Sequence, residues 1–351
     1  MAKRLATAEF LDRLSSLTAG VIFNRASIFH DSCSLGCVHC GWRGHPSRVR
    51  TARDDPFDSK GTSTWMRTLE WCRERGVETV TLTGGEVTER EDYSDIIRYA
   101  LWLGLRVVIE THGRRFADKN FCRELSPGRP LHYIVSFHGS RPSVHETITR
   151  QQGSFADTLE GIRNLRRLTA SKIDVMTVAQ AANISDISEI YKVVAAAKPA
   201  SYIVSLVMLR GLAARAKLPS VAVIRETIER LRMLREQPGN QTELVFNNFP
   251  LCLLGEDRQM SANYPAFNGP STNYELMIHP DNLNRTFLAR MALPSTLTFP
   301  RPCVSCFYRD VCPAPAYVTA LDHAEELLVP FGDRRDSAPH TSPPPGDLLF
   351  V

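Results

Sequence analysis

"ETVTLTGGE", residues 78–86, is a β-branched apolar run that stops abruptly on two glycines and a carboxylate. Thr79, Val80, Thr81 and Thr83 favour a pleated strand, and the glycine pair marks a sharp turn at its end. Directly after it, "REDYSDIIRYALWLGL" (90–105) places apolar residues at helical spacing, and "LRVVIETHG" (105–113) is a second strand-like run. Strand, turn, helix and strand in that order make a βα unit. The unit recurs downstream: "HYIVSFHG" (132–139), "IDVMTVAQ" (173–180) and "SYIVSLVML" (201–209) are apolar runs. They alternate with "SFADTLEGIRNLRRL" (154–168), "SDISEIYKVVAAAK" (185–198) and "PSVAVIRETIERLRMLRE" (219–236). Ser154 is placed to cap the first of these helices, whose stripe is Phe155, Leu159, Ile162 and Leu165; Pro219 stands near the start of the last. Upstream, "RASIFHDS" (25–32) supplies a first strand, which brings the count to six units. Apolar strands separated by helices imply a parallel sheet buried on both faces. Six units rather than eight predict an α/β fold, a partial (β/α)6 TIM-type barrel. In such sheets chemistry gathers at the C-terminal ends of the strands. Cys33 to Cys40, Gly84 to Glu86, Thr111 to Gly113 and Ser136 to Gly139 then fall on one rim.

The whole chain sets the bounds. Its 351 residues are 43% hydrophobic and 23% charged, ordinary for a globular protein. No apolar run is long enough for a membrane span, and "MAKRLATAEFLDRL" at the N-terminus lacks the apolar core of a secretory signal. The net charge of +4 is spread over helix faces where bases alternate with acids, which argues against nucleic acid as a partner. After residue 240 the βα period gives way to short, turn-rich runs, "TELVFNNFPLCLLGEDRQM" (242–260) and "NYELMIHPDN" (273–282). We therefore expect an N-terminal segment (1–19), the barrel (20–239), a smaller attached domain (240–325) and a disordered Pro- and Ser-rich tail (326–351).

The chain has nine cysteines, an odd number, and six of them lie in two tight groups. Cys33-x3-Cys37-x2-Cys40 follows the first strand; Cys303-x2-Cys306-x5-Cys312 lies near the C-terminus. Such close spacings suit a shared metal better than disulfides. His39 or His45 would complete the first group as a zinc site. Zinc ligands usually come as two separated pairs, however, whereas three thiolates on one loop suit a [4Fe–4S] cluster with one iron left open. Cys252 joins the second group as a fourth ligand, for a zinc ribbon or for a second cluster. Cys72 and Cys122 fall in helical patterns and read as buried thiols.

The cysteine loop after the first strand, joined to Gly84-Gly85-Glu86 after the second, resembles the radical S-adenosylmethionine (SAM) superfamily. "VSFHGSRPSVHETITRQQGSFADTLEGIRNL" (135–165) is similar to the fourth strand and helix of members that carry extra clusters. The resemblance covers roughly residues 20–320, with one departure: His39 stands where the family usually has an aromatic residue. It implies a [4Fe–4S] cluster on Cys33, Cys37 and Cys40 whose open iron binds SAM. It implies reductive cleavage of SAM to a 5′-deoxyadenosyl radical, which takes a hydrogen atom from a peptide or small-metabolite substrate. Oxidation or bond formation would follow, as in peptide or natural-product maturation. For Gly84 and Gly85 it implies close approach to the methionine, and for Glu86 an acceptor for its ammonium group. Thr111, Ser136, Gln180 and Asn183 would contact carboxylate or ribose, Arg150 the carboxylate, and His138 the substrate. Each is also a residue type common in plain turns. The resemblance further implies an auxiliary [4Fe–4S] cluster on Cys252, Cys303, Cys306 and Cys312 in a twitch- or SPASM-like extension. It implies flavodoxin or ferredoxin as electron donor and a cytoplasmic location. Two other readings stay open on the sequence: a radical SAM enzyme acting on a nucleotide or RNA, and a non-catalytic, zinc-stabilised binding protein.

Overall fold

The computed structural model describes residues 11, 12, 15, 25–30, 32–41, 61–124, 130–208, 212, 213, 218–262, 274–278, 287–290, 303, 306, 308 and 312. His45, the loop at 42–56, most of the N-terminal segment and the tail at 326–351 lie outside them. All six expected strands form: β1 Arg25–His30, β2 Thr79–Gly84, β3 Arg106–Thr111, β4 His132–Ser136, β5 Lys172–Ala179 and β6 Ser201–Leu206. Each pairs in parallel with the next. The helices between and after them are α1 Thr62–Glu74, α2 Tyr93–Trp102, α3 Lys119–Glu124, α4 Pro142–Thr149, α5 Ser154–Leu168, α6 Ile187–Ala196 and α7 Val221–Arg235. Ser220 caps α7 by accepting from the Val223 N–H at 3.4 Å. Ser154 does not cap α5. Gly153 takes that position in a left-handed conformation, φ 81°, and the Ser154 hydroxyl bonds Thr149 Oγ1 at 2.8 Å.

Strand order follows chain order across the sheet, β7-β6-β5-β4-β3-β2-β1-β8-β9. A seventh parallel strand, β7 (Glu243–Asn247), joins β6, in a stretch the sequence assigned to the attached domain. Only Leu244, Val245 and Phe246 are buried in it, so its apolar run is too short to read as a barrel strand. On the other side, β8 (Tyr274–Ile278) runs parallel to β1, and β9 (Phe287–Arg290) antiparallel to β8. Among the described residues no pairing joins β7 to β9. The sheet is therefore open, a partial barrel.

Side chains alternate across each strand, so each strand feeds two layers. Val80, Leu82, Ile109, Tyr133, Val175 and Val204 pack outward into one core with Trp65, Ile96, Ile162, Ile190 and Ile224 of the helices. Val108, Ile134, Ile203 and Val245 face the other way and form a small apolar plug with Met176 and Ala262. Below the plug, at the strand entries, His132 Nε2 bonds the Asp174 carboxylate at 2.6 Å, and Lys172 lies 3.3 Å from it. Above it, the same alternation brings Glu110, Ser136, Ser205 and Asn247 to the strand exits. The inner face thus changes from apolar to polar where the rim begins. Among the described residues no helix is long and apolar enough to cross a membrane.

Candidate metal centre and its rim

The loop that follows β1 carries Cys33, Cys37 and Cys40, and main-chain bonds fix it along its length. At its start, the Gly85 N–H donates to the His30 carbonyl at 2.6 Å and the Glu86 N–H to the Ser32 carbonyl at 2.7 Å. In the middle, the N–H groups of Gly36 and Val38 donate to the carbonyls of Thr149 and Ile148, each at 2.9 Å, which docks the loop on the end of α4. At its end, the Leu212 N–H donates to the Cys40 carbonyl at 3.0 Å. The glycine pair permits the first contact. A Cβ at Gly84 would lie 2.7 Å from the His30 carbonyl oxygen, and one at Gly85 only 2.1 Å from that of Ser32. Gly85→Ala should therefore push the loop away, at a stability cost of about 2 kcal/mol. Denaturant unfolding reads that cost. Gly76→Ala, where a Cβ meets nothing within 4 Å but φ is 81°, is the control for backbone strain alone.

The three cysteines are partly buried. Burial pushes the Cys33 thiol well up, helped by the nearby Glu86, Cys37 and Glu89. A thiolate here needs a cationic group against it. Ser32 Oγ, one residue before Cys33, is buried and has no hydrogen-bond partner among the described residues. Three sulfur donors among carboxylates, with an orphaned hydroxyl beside them, fit a positively charged metal group.

Glu86 is only 1% exposed. Its Oε1 accepts from Thr88 N–H at 3.2 Å, Thr88 Oγ1 at 2.5 Å and Thr111 Oγ1 at 2.7 Å; its Oε2 accepts from His112 N–H at 2.7 Å. Four donors fill the capacity of a carboxylate. In this arrangement Glu86 and Thr111 brace the β2 and β3 turns against each other. Glu89, which the sequence reading passed over, reaches further. It accepts from the Ser34 N–H at 3.0 Å, from the Ser34 hydroxyl and from His112 Nε2 at 3.0 Å, tying the cysteine loop to the β3 turn. Burial alone would raise the Glu89 carboxyl, but His112 and Ser34 outweigh it and hold it below its ordinary value. The signal available was a second carboxylate three residues after the first, one helical turn on.

The far wall is built at the ends of β4 and β5. Asn183 is fully buried; its Nδ2 donates to the carbonyls of His138 and Val178, both at 3.1 Å, and its Oδ1 accepts from Gln180 N–H at 2.9 Å. It is spent on the turn. The Gln180 side-chain N–H donates to His39 Nδ1 at 3.1 Å. His39 meets the ring of His138 edge-on, with centroids 4.5 Å apart. His138 is 2% exposed, behind His39, and burial drives it well below its ordinary value, with His39 and His145 adding to the shift. Burial likewise lowers His39 to about 4. Both rings are neutral at physiological pH. Ser136 is half-buried on the inner face, and Arg150 is exposed at the end of α4 with φ 55°.

The second cysteine group also comes together. Cys252 sits in a short helix, α8 (Leu251–Leu254), that follows β7. Burial pushes its thiol up to about 12, and Cys312, Cys303 and Cys306 add to the shift. Four sulfurs from two distant segments are therefore neighbours. The Leu251 N–H points at Cys312 Sγ, 3.4 Å away. Among the described residues no three cysteine, histidine or carboxylate side chains converge closely enough to hold a single metal ion.

Residues 27–194 match the family described as Radical SAM superfamily. An AdoMet-dependent heme synthase of Methanosarcina barkeri is 26% identical over 160 residues, which are 46% of this chain and 43% of that protein. The chain thus spans less than half the length of that relative. A PqqA peptide cyclase of Rhodopseudomonas palustris is 24% identical over 339 residues, 86% of each chain. Among solved structures, SuiB of Streptococcus suis bound to S-adenosylmethionine shares the fold. Its TM-score is 0.62 at 16% identity, over 91% of this chain and 81% of that one.

Proposed function

The chain carries a radical SAM domain over residues 27–194, and from that premise we propose that it is a radical SAM enzyme acting on a peptide. The observation that carries the reading is the Cys33–Cys40 loop, held by main-chain bonds at its start, middle and end on the C-terminal rim of a partial barrel. The peptide is favoured because the cyclase-like relative matches nearly the whole chain, extension included. Cys33, Cys37 and Cys40 would hold the SAM-binding [4Fe–4S] cluster. When bound and reduced, that cluster supplies the electron that splits the SAM C5′–S bond, and the resulting 5′-deoxyadenosyl radical takes a hydrogen atom from substrate. The chain's own residues position and shield. Gly84 and Gly85 keep the loop entry clear of any Cβ. Glu86, Glu89, Thr111 and Asn183 brace the rim. Ser136 and Arg150 are placed to receive the methionine carboxylate. Neutral His39 and His138 line the wall with no charge that could repel a sulfonium.

Cys252, Cys303, Cys306 and Cys312 would hold an auxiliary [4Fe–4S] cluster in an extension over residues 240–325, of which β7 completes the barrel. A four-iron group holds its thiolates further apart than a single ion does, because each sits on a different iron. Four protein thiolates would leave no iron open, which suits an electron acceptor or conduit. A flavodoxin or ferredoxin would supply the first electron. Anaerobically reconstituted protein should bind about eight irons with matching sulfide and should form 5′-deoxyadenosine from SAM with dithionite. Bound zinc without labile sulfide would overturn the reading.

A further inference from the structure

The start and middle of the cysteine loop are fixed by main-chain bonds to β2 and α4, but its last turn depends on side chains. The Leu212 N–H is the main-chain contact that Cys40 makes across the loop. The neighbouring residue, His39, reaches the opposite wall instead. Its Nδ1 accepts from Gln180, and its ring edge meets His138. Both partners are themselves locked. The Val178 N–H donates to His138 Nδ1 at 3.3 Å, and the His138 N–H donates to His145 Nδ1 at 3.1 Å. Asn183 binds the Gln180 N–H and the His138 carbonyl with one carboxamide, so the ends of β4 and β5 hold as one piece. An accepting Nδ1 puts the proton on Nε2 in both rings, so each is a neutral ring of defined tautomer.

We propose that His39, Gln180 and His138 form a clamp that fixes the last turn of the cysteine loop, making them positioning residues for the cluster that Cys40 helps to hold. The clamp spans 141 residues of sequence, from the end of the first strand to the end of the fifth. It sets the place of the third thiolate before any metal arrives. Loosening it should leave the cluster able to form and make it easier to lose. The inference rests on the cluster assignment above.

The test is a double-mutant cycle on the full-length, reconstituted protein. His39→Phe keeps a ring against His138 and loses the bond to Gln180; Gln180→Leu loses the same bond from the other side. Iron is drawn out with a chelator, and the readout is the decay of the electron paramagnetic resonance signal that shifts on adding SAM. That signal reports only the cluster with an open iron. Each single variant should lose it about tenfold faster than wild type, the effect of one buried hydrogen bond. The double variant should lose it no faster than either single one, because both remove one interaction. Far-UV circular dichroism checks the fold. If leucine at 180 disturbs it, Gln180→Asn keeps the amide but is one carbon too short to reach His39, and should behave like the leucine variant. Single variants with wild-type decay, or a double variant whose rate is the product of the two, overturn the clamp. A wild type that takes up no iron overturns the cluster assignment and the clamp with it. A loaded wild type beside unaffected variants overturns the clamp alone.

Discussion

Replacing Cys33, Cys37 and Cys40 together with alanine is expected to abolish SAM cleavage, with no 5′-deoxyadenosine detectable above the protein-free background. The effect is total because the electron has one way in: without three thiolates no iron is held, and without iron the SAM sulfonium is never reduced. The same variant should fold normally. The bonds that shape the loop are main-chain bonds, from Gly85 to His30, Glu86 to Ser32, Gly36 to Thr149 and Val38 to Ile148, and alanine leaves all of them in place. The relief of a crowded Cys33 thiol costs no folding energy either, since burial and Glu86 already disfavour its ionised form. Chromatography of SAM incubated with dithionite-reduced variant, beside its circular dichroism spectrum, makes the measurement. A folded triple variant that still forms 5′-deoxyadenosine would place the SAM chemistry elsewhere.

The barrel was legible because parallel strands buried on both faces leave an unbroken apolar signature, and all six such runs became strands. β7 was hidden because only three of its residues are buried, and its ends, Glu243 and Asn247, carry the polarity of the barrel's inner face. The cysteine spacings announced a metal without any structure, since tight groups of thiols have few other uses. What the sequence could not separate was ligand from brace. Glu86, Thr111 and Asn183 carry the polar side chains that a cofactor pocket needs, yet in the fold they are saturated by neighbouring turns. A turn at a strand end needs the same donors and acceptors as a ligand, so residue type alone cannot tell them apart. His39 shows the converse. At its place in the motif it stands out as a departure, and its partners, Gln180 and His138, lie on strands that only the folded sheet brings across from it.

The second large effect is expected at the other cysteine group. Cys303→Ala combined with Cys306→Ala should remove about four irons, if each site is a [4Fe–4S] cluster, and leave the cluster on the Cys33 loop able to bind SAM. The two sites are held by different structures. The first loop hangs from β1, β2 and α4; Cys252 follows β7, and its partners come from a segment more than fifty residues further on. Uncoupled SAM cleavage should therefore persist, while formation of product from a peptide substrate should fall sharply. Two causes would give that fall. The auxiliary cluster may be the acceptor that takes the electron left on the substrate radical, or its ligands may be the staple that folds the extension. Cys303, Cys306 and Cys312 are each buried in the main hydrophobic core beside Tyr308, and the Arg258 Nε–H donates to the Tyr308 hydroxyl at 3.3 Å. These contacts are apolar packing and a hydrogen bond that alanine at 303 and 306 does not touch, so the extension should keep much of its structure. The acceptor role then accounts for most of the loss, and peptide binding should survive in the variant while turnover fails. A variant that binds peptide no better than a scrambled sequence would assign the loss to folding instead. One that keeps full product yield would remove the auxiliary site from the reaction altogether. One that keeps all its iron and loses zinc would make the second site a zinc ribbon, leaving the barrel chemistry as it stands.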